Sequence, residues 1–406
     1  MSDTCLRCAG RTRCEGGEEQ LVSNHVVIVG GGQAGLQASI SLRQEGYQGR
    51  ISLICDEDHL PYMRPPLSKA FMKSENEVPV QFRDIKFFLD NRIEVRTSVK
   101  ALAIRPDASQ LVIEGGEIVH YHHLILATGA RPRPWRGIGT GARNVHYLRS
   151  LGHAREIRHQ LAHVKDICIL GGGYVGLELA ATASQLGKRV TVVESTAALL
   201  SRSMIPWMSE WLLKLHLSNG VAVRLQTQVP TVKVDEEERV TEVITDSGET
   251  IPVDMVLVGI GAIPNTELAE KAGLRIANGI VVNSSLRTSV ENIYAIGDCA
   301  SFPDPKTEKL LRLESVQNAV DQAKFVAREI SLGCNATFAA LAWFWSVQYQ
   351  FKIMIAGALS NFDRFEVTGL ENDGRFNIDV YYKDKLNCVF SVNDAKYHLK
   401  ARRLLK

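Results

Sequence analysis

Two glycine clusters carry the plainest chemical signal in this chain. VVIVGGGQAG places Gly30, Gly32 and Gly35 in a G-x-G-x-x-G spacing, and ICILGGGYVG repeats it with Gly171, Gly173 and Gly176. Each cluster follows an apolar, strand-like run and opens a helix-like segment, the context in which this spacing holds a dinucleotide. The first glycine permits the tight turn, the second lets backbone approach a pyrophosphate, and the third lets helix and strand pack closely. The helix N-terminus then offers unpaired N–H groups and a partial positive charge to the phosphates. Each unit has an acid at the end of its next strand: Asp56, with Glu57 as runner-up, in the first, and Glu194 in the second. A carboxylate there accepts the hydroxyls of an adenosine ribose and repels a 2′-phosphate. Ser195-Thr196-Ala197 supplies no arginine to hold such a phosphate, so the second unit predicts NADH over NADPH; Arg202 is close enough in sequence to curl back against that preference.

The elements that must position these groups follow from hydrophobic pattern. HVVIVG (25–30) reads as a parallel strand, 33–46 as a crossover helix and ISLICD (51–56) as the next strand. A second unit runs through DICIL (166–170), a helix from about 174 to 187, and RVTVVE (189–194). ARPRPWRGIGTGAR (130–143) and GIGAIPNTEL (259–268) read as hinges. Between 221 and 258 lie several β-like stretches, with a turn at Asp246-Ser247-Gly248. The chain is expected to return to its first domain through 284–300 and a helix from about 316 to 331. The last 70 or so residues, with WFW at 343–345 and alternating FNIDVYY, read as a small α+β domain.

Composition narrows the classes. With 406 residues, 45% hydrophobic and 23% charged, the chain is an ordinary multidomain globular protein, and a net charge of +2 argues against a nucleic-acid binder. No apolar run reaches the roughly 18 residues of a membrane span, and the N-terminus lacks the apolar core of a signal peptide. Eight scattered cysteines fit a reducing cytoplasm. Cys5, Cys8 and Cys14 sit in a polar leader, residues 1–24, expected to be disordered; His25 is the first plausible fourth ligand, and three thiols alone make a poor closed zinc site. No metal site is expected in 25–406, and no nucleophile–base arrangement.

LPYMRPPLSKAF (60–71), LILATGARPR (124–133), GGGYVGLELAATASQLG (171–187), SVENIYAIGDCA (289–300), RLESVQNAVDQA (312–323) and WFWSVQY (343–349) together resemble the FAD-dependent, NADH-linked ferredoxin reductases that feed haem-thiolate monooxygenases and Rieske dioxygenases. The likeness runs from residue 25 to about 403. It implies an α/β fold like that of glutathione reductase: two Rossmann-like domains, one for FAD (25–133 and 265–334) and one for NAD (134–264), plus a small α+β C-terminal interface domain (335–406). It puts FAD on Gly30, Gly32 and Gly35, with Arg64, Thr128, Gly129 and Arg131 as further contacts. Asp298 is implied at the ribitol hydroxyls and Val316 at the flavin edge. Lys69 is implied near flavin N5, paired with Glu178, and Glu314 and Trp345 by the nicotinamide; Trp343 and Phe344 read as core packing. The superfamily's C-x4-C pair has no counterpart in HLPYMRPPLSKAFMK, and Cys55 and Cys299 read as buried fillers. Electrons would therefore leave the flavin directly to an external acceptor, which the resemblance implies is a 2Fe–2S ferredoxin that takes them singly. Rubredoxin reduction, NADH oxidation by oxygen, or NADH sensing like that of apoptosis-inducing factor are the alternatives. An acidic ferredoxin calls for a basic patch, with Arg312, Lys396, Lys400, Arg402 and Arg403 as candidates. Val347 stands where the family's string has an acid, SVNDAKYH (391–398) departs from it, and the chain ends soon after ARRLL, which leaves the partner more open than the cofactors.

Overall fold

The computed structural model describes residues 24–74, 80–137, 141–304, 307–357, 359, 361–371 and 373–405. The leader cysteines Cys5, Cys8 and Cys14 lie outside them.

His25–Val29 is a strand buried along its whole length. It pairs in parallel with Arg50–Ile54 on one side and His123–Leu126 on the other. A strand covered on both faces is a continuous apolar run rather than an alternating one, which is why VVIV occupies the centre. Ile93–Arg96 and Ile293–Ala295 complete a five-stranded parallel sheet, so residues from far down the chain close its edge. The helices Gln33–Gln44 and Val316–Leu332 pack against each other beside this sheet.

The second sheet is built the same way. Its order is Ala222–Arg224, Arg189–Val193, Asp166–Leu170, Met255–Val258 and Val145–Tyr147, all parallel. Helix Tyr174–Gln185 makes the crossover from Asp166–Leu170 to Arg189–Val193. An antiparallel trio, Thr231–Val234, Val240–Ile244 and Thr250–Pro252, precedes Met255–Val258; its second turn holds Gly248 at φ +85°.

The chain crosses between the two sheets twice, and the crossings lie side by side. Ala130–Pro132 pairs antiparallel with Ala262–Pro264. Asn265 bolts them: its side-chain amide donates to Thr128 O at 2.8 Å, its backbone N–H to Gly129 O at 2.9 Å, and its carbonyl accepts Thr128 Oγ1 at 2.7 Å.

The C-terminal part is a five-stranded antiparallel sheet, ordered Trp343–Gln348, Phe351–Gly357, Lys385–Val392, Arg375–Tyr382 and Arg364–Leu370, with helix Ala395–Leu404 after it. Phe376, Ile378 and Val380 alternate into the core with the period of two that a half-buried strand requires. Trp207 and Trp211, from a helix of the second sheet's layer, meet Phe376 edge-on at 5.5 and 5.1 Å, joining that layer to the C-terminal sheet. No helix among the described residues is long and apolar enough to cross a membrane.

Candidate active site

The first glycine turn opens on a cleft of about 550 Å³. Gly30 has φ +115°, and a Cβ there would stand 2.2 Å from Ala127 O; one on Gly35 would stand 1.9 Å from Gly30 O; one on Gly32 would meet nothing within 4 Å. Packing therefore demands the outer two glycines, while Gly32 keeps the cleft itself open. The second turn repeats the logic: a Cβ on Gly171 or Gly176 would lie 2.5 Å from Gly259 O or 2.3 Å from Gly171 O, whereas Gly173 approaches nothing nearer than 3.7 Å. Gly32 and Gly173 are the N-caps of their helices and supply no side-chain cap, so the helix N–H groups face outward unspent. An open glycine against an uncapped helix N-terminus fits a diphosphate, twice over.

Lys69 and Glu178 meet in this cleft from opposite parts of the chain. Pro65–Ser68 forms a single 3₁₀ turn, with prolines at its first positions fixing φ. It carries Lys69, whose Nζ donates to Glu178 Oε2 at 2.5 Å, Pro65 O at 2.9 Å and Ser68 Oγ at 3.1 Å. Glu178 projects from helix Tyr174–Gln185 with its side chain only 8% exposed. Burying a carboxylate costs several kcal/mol unless donors replace its water. Here Ser68 Oγ donates to Oε2 at 2.6 Å, Ser346 Oγ to Oε1 at 2.7 Å, and Val347 N approaches Oε1 at 3.4 Å. The departure at Val347 thus leaves its backbone, not its side chain, on the pair.

The remaining expected residues of the first site also line the cleft. Glu57 accepts Tyr62 Oη at 2.6 Å and Arg64 Nη2 at 2.7 Å, so both its oxygens are engaged, while Asp56 stands exposed. Arg64 also lies over the Tyr62 ring and donates to Arg149 O at 2.7 Å. Burial and the Glu57 carboxylate push the Tyr62 phenol up, so it stays a donor. Thr128, Gly129 and Arg131 follow strand His123–Leu126; Arg131 points to the rim, bonded to Asn265 Oδ1 at 2.8 Å and Glu267 at 2.5 Å. Asp298 follows Gly297 (φ +76°) and receives Arg149 Nη2 at 3.0 Å. Val316 opens a helix capped by Ser315, whose hydroxyl accepts Asn318 N at 3.1 Å, and that N-terminus borders the cleft. Trp345 and Phe344 form another wall. Phe344 is therefore more than core, although it also meets Tyr174 edge-on at 4.9 Å.

One partner candidate needs correction. Arg312 is not an exposed docking cation: its side chain is 9% exposed. It donates to Glu314 at 2.6 Å, Asp298 O at 3.1 Å and Asn278 Oδ1 at 3.2 Å. Its guanidinium ties the Asp298 turn to the segment before the helix, and Glu314 stays exposed at the cleft edge.

Gly171, Gly173, Gly176 and Glu194 lie at the second turn, apart from the first cleft. Glu194 Oε2 accepts Gly172 N at 2.7 Å, and Oε1 accepts Thr196 N at 2.7 Å and Thr196 Oγ1 at 2.8 Å. Arg202 does not curl back to it; it lines a separate hollow with Met204, Pro206 and Phe362. Cys55 borders the first cleft, but burial and the neighbouring Asp56 and Glu57 push its thiol up to about 12, so it is no nucleophile at neutral pH. Cys168, Cys299 and Cys388 are buried too, all unpaired. Among the described residues, no cluster of His, Cys, Asp and Glu is placed to hold a metal ion. Arg149, Ser68, Ser346 and Asn265 are contacts sequence reasoning missed. Ser68 and Ser346 sit inside the strings RPPLSK and WFWSVQY and Asn265 inside the second hinge, whereas Arg149 lies in no such segment.

Two parallel sheets, each with an open glycine turn, and an ammonium–carboxylate pair between them define an enzyme that passes reducing equivalents between two dinucleotides. Residues 24–323 match the family described as pyridine nucleotide-disulphide oxidoreductase, and residues 343–406 match the reductase C-terminal domain. The chain belongs to the pyridine nucleotide-disulphide oxidoreductase family, and its cofactors are FAD and NAD(H). It is 41% identical over 381 residues to rhodocoxin reductase of Rhodococcus erythropolis, covering 94% of this chain and 89% of that one. Among solved structures, it is similar to the ferredoxin reductase for the CYP199A2 system of Rhodopseudomonas palustris (TM-score 0.91, 39% identity, 93% of each chain). It is also similar to the covalent putidaredoxin reductase–putidaredoxin complex (TM-score 0.90, 35% identity, 95% of this chain and 93% of that one).

Proposed function

We propose that this protein is an NADH-dependent ferredoxin reductase that supplies a monooxygenase or dioxygenase through a small 2Fe–2S protein. The observation that carries the reading is the cleft itself. It has the first glycine turn and the Lys69–Glu178 pair, yet its one cysteine is a buried thiol pushed up to about 12, so electrons have no dithiol to visit on their way out. The similar proteins named for rhodocoxin, ferredoxin and putidaredoxin support an iron–sulfur acceptor.

The first turn would hold FAD, whose chemistry would be to accept a hydride from NADH and release the electrons singly. The chain does the rest. Gly30, Gly32 and Gly35 shape the pyrophosphate cradle, Asp56 takes the adenosine ribose, and Asp298, steadied by Arg149, takes ribitol hydroxyls. Lys69, anchored by Glu178, sets a fixed cation where negative charge gathers during reduction, the kind of preorganised electrostatics that lowers a barrier most. The helix at Val316 adds its N-terminal dipole. Glu194 selects NADH at the second turn, and Glu314 and Trp345 border the entrance for nicotinamide. The domain division we adopt is FAD on 25–133 and 265–334, NAD on 134–264 and the acceptor interface on 335–406, in a cytoplasmic setting. Anaerobic stopped-flow mixing with NADH, then with a 2Fe–2S ferredoxin, tests this. Bleaching followed by fast reoxidation coupled to ferredoxin reduction supports the proposal. Bleaching that persists beside ferredoxin and vanishes only with air overturns it.

A further inference from the structure

The carboxylate of Glu178 is the end of a buried hydrogen-bond chain that reaches it from the C-terminal sheet. Ser346 Oγ donates to Glu178 Oε1 at 2.7 Å. Gln348 Nε2 faces Ser346 Oγ at 3.4 Å, and Gln348 Oε1 lies 2.8 Å from His216 Nε2. Tyr349 Oη closes the chain 3.3 Å from His216 Nδ1. Ser346, Gln348 and His216 are buried to 1% exposure or less. Burial lowers the His216 pKa, so the imidazole is neutral, with one N–H and one lone pair. Because Gln348 Oε1 can only accept, the N–H is on Nε2, and Nδ1 is left to accept from Tyr349. Every link then donates in one direction: tyrosine to histidine, histidine to amide, amide to serine, serine to carboxylate.

That direction has a consequence at Ser346. A serine hydroxyl has one proton and must choose one acceptor. The amide of Gln348 donates to one of its lone pairs, and the carboxylate can only accept, so the proton goes to Glu178. Chains with a common sense polarise one another, and in a dry interior each bond is stronger for it. We propose that Ser346, aimed through Gln348 and His216, is a positioning residue that fixes Glu178 as the anchor of Lys69, so that the C-terminal sheet helps set the reactivity of the flavin. The inference rests on the Lys69–Glu178 reading above.

The test uses the full-length holoenzyme with two readouts: the rate of flavin reduction by NADH in a single turnover, against the KM for NADH, and the FAD midpoint potential. Ser346→Ala removes one of the donors on a charged acceptor, and the reduction rate should fall about tenfold with a lower potential and an unchanged KM. Ser346→Thr keeps the hydroxyl and should recover most of the rate. Gln348→Glu offers Ser346 a competing acceptor, which turns its proton away from Glu178, and should reproduce Ser346→Ala while Ser346 itself is intact. The chain is refuted if Gln348→Glu leaves rate and potential at wild-type values, or if Ser346→Thr is as slow as Ser346→Ala. Lys69→Met separates the two levels. If it shifts the potential while Ser346→Ala and Gln348→Glu do not, the relay fails alone. If Lys69→Met shifts nothing, the underlying pair is wrong.

Discussion

Lys69 has three acceptors around its ammonium, and they fix where its charge stands against the cleft. Removing that charge while keeping the stem isolates its part. Lys69→Met should slow flavin reduction by about a hundredfold to a thousandfold without loss of bound FAD, since a single preorganised donor is commonly worth that much. Single-turnover absorbance together with the flavin-to-protein ratio reads both, and a wild-type rate would remove Lys69 from the chemistry. Besides the ribose contact proposed for it, Glu194 accepts the N–H of Gly172 in the glycine turn itself. Glu194→Ala should therefore raise the KM for NADH about tenfold and narrow the preference over NADPH. The comparison to make is kcat/KM for the two nucleotides; an unaltered ratio takes Glu194 out of the ribose site.

The glycine helices are demanding at one end and permissive at the next, and substitutions should divide accordingly. A methyl on Gly35 would press into the carbonyl of Gly30, whereas one on Gly32 enters open cleft. Gly35→Ala should lower the melting temperature by several degrees or prevent folding, while Gly32→Ala should fold and lose FAD; melting with and without added FAD distinguishes them. These turns were legible in sequence because their causes are local: strand, turn and helix follow one another within a dozen residues. Ser346 and Glu178 meet across 168 residues, and nothing near either one announces the other. Arg149 was missed for the same reason, lying 149 residues from Asp298 with no motif around it. Arg312 misled in the opposite sense: arginine is a surface residue by default, but Glu314, Asn278 and the Asp298 carbonyl enclose this one. Helix Ala395–Leu404 carries an acid-sensitive contact. Its His398 is buried against Trp343 with neither ring nitrogen bonded, and burial together with Arg402 and Lys352 lowers its pKa to about 4. A histidine depressed in the fold favours the unfolded chain once that chain takes up a proton. Stability should be full above about 6.5 and fall as pH drops toward 4. Thermal melts at pH 7 and pH 5 should show the loss, and His398→Phe should shrink it; an equal loss in the variant would place the effect elsewhere.

At the scale of the whole molecule, the sign of the net charge decides little and its placement decides more. A charge of +2 spread over 406 residues gives no strong field. On helix Ala395–Leu404, however, Lys396, Lys400 and Arg403 are exposed together. Arg402 differs from them: it lies 4.0 Å over the Trp343 ring, and Trp343 is 5.8 Å from Trp345, which borders the cleft. The helix that carries the basic face is thus packed, through Arg402, against the tryptophan pair at the cleft wall. Exposed charges act by steering, which ions screen over about 10 Å at ordinary salt, whereas a stacked guanidinium acts by packing. The two kinds of cation should separate by salt dependence. Reversing both charges in Lys400→Glu/Arg403→Glu should slow reoxidation by an acidic 2Fe–2S ferredoxin about tenfold at low ionic strength, with the difference shrinking as salt is added. Flavin reduction by NADH should not change in that variant, because neither residue touches the cleft. Arg402→Gln should instead lower the melting temperature and show no such salt dependence. If the double reversal leaves ferredoxin reduction at the wild-type rate in low salt, the acceptor docks on another face.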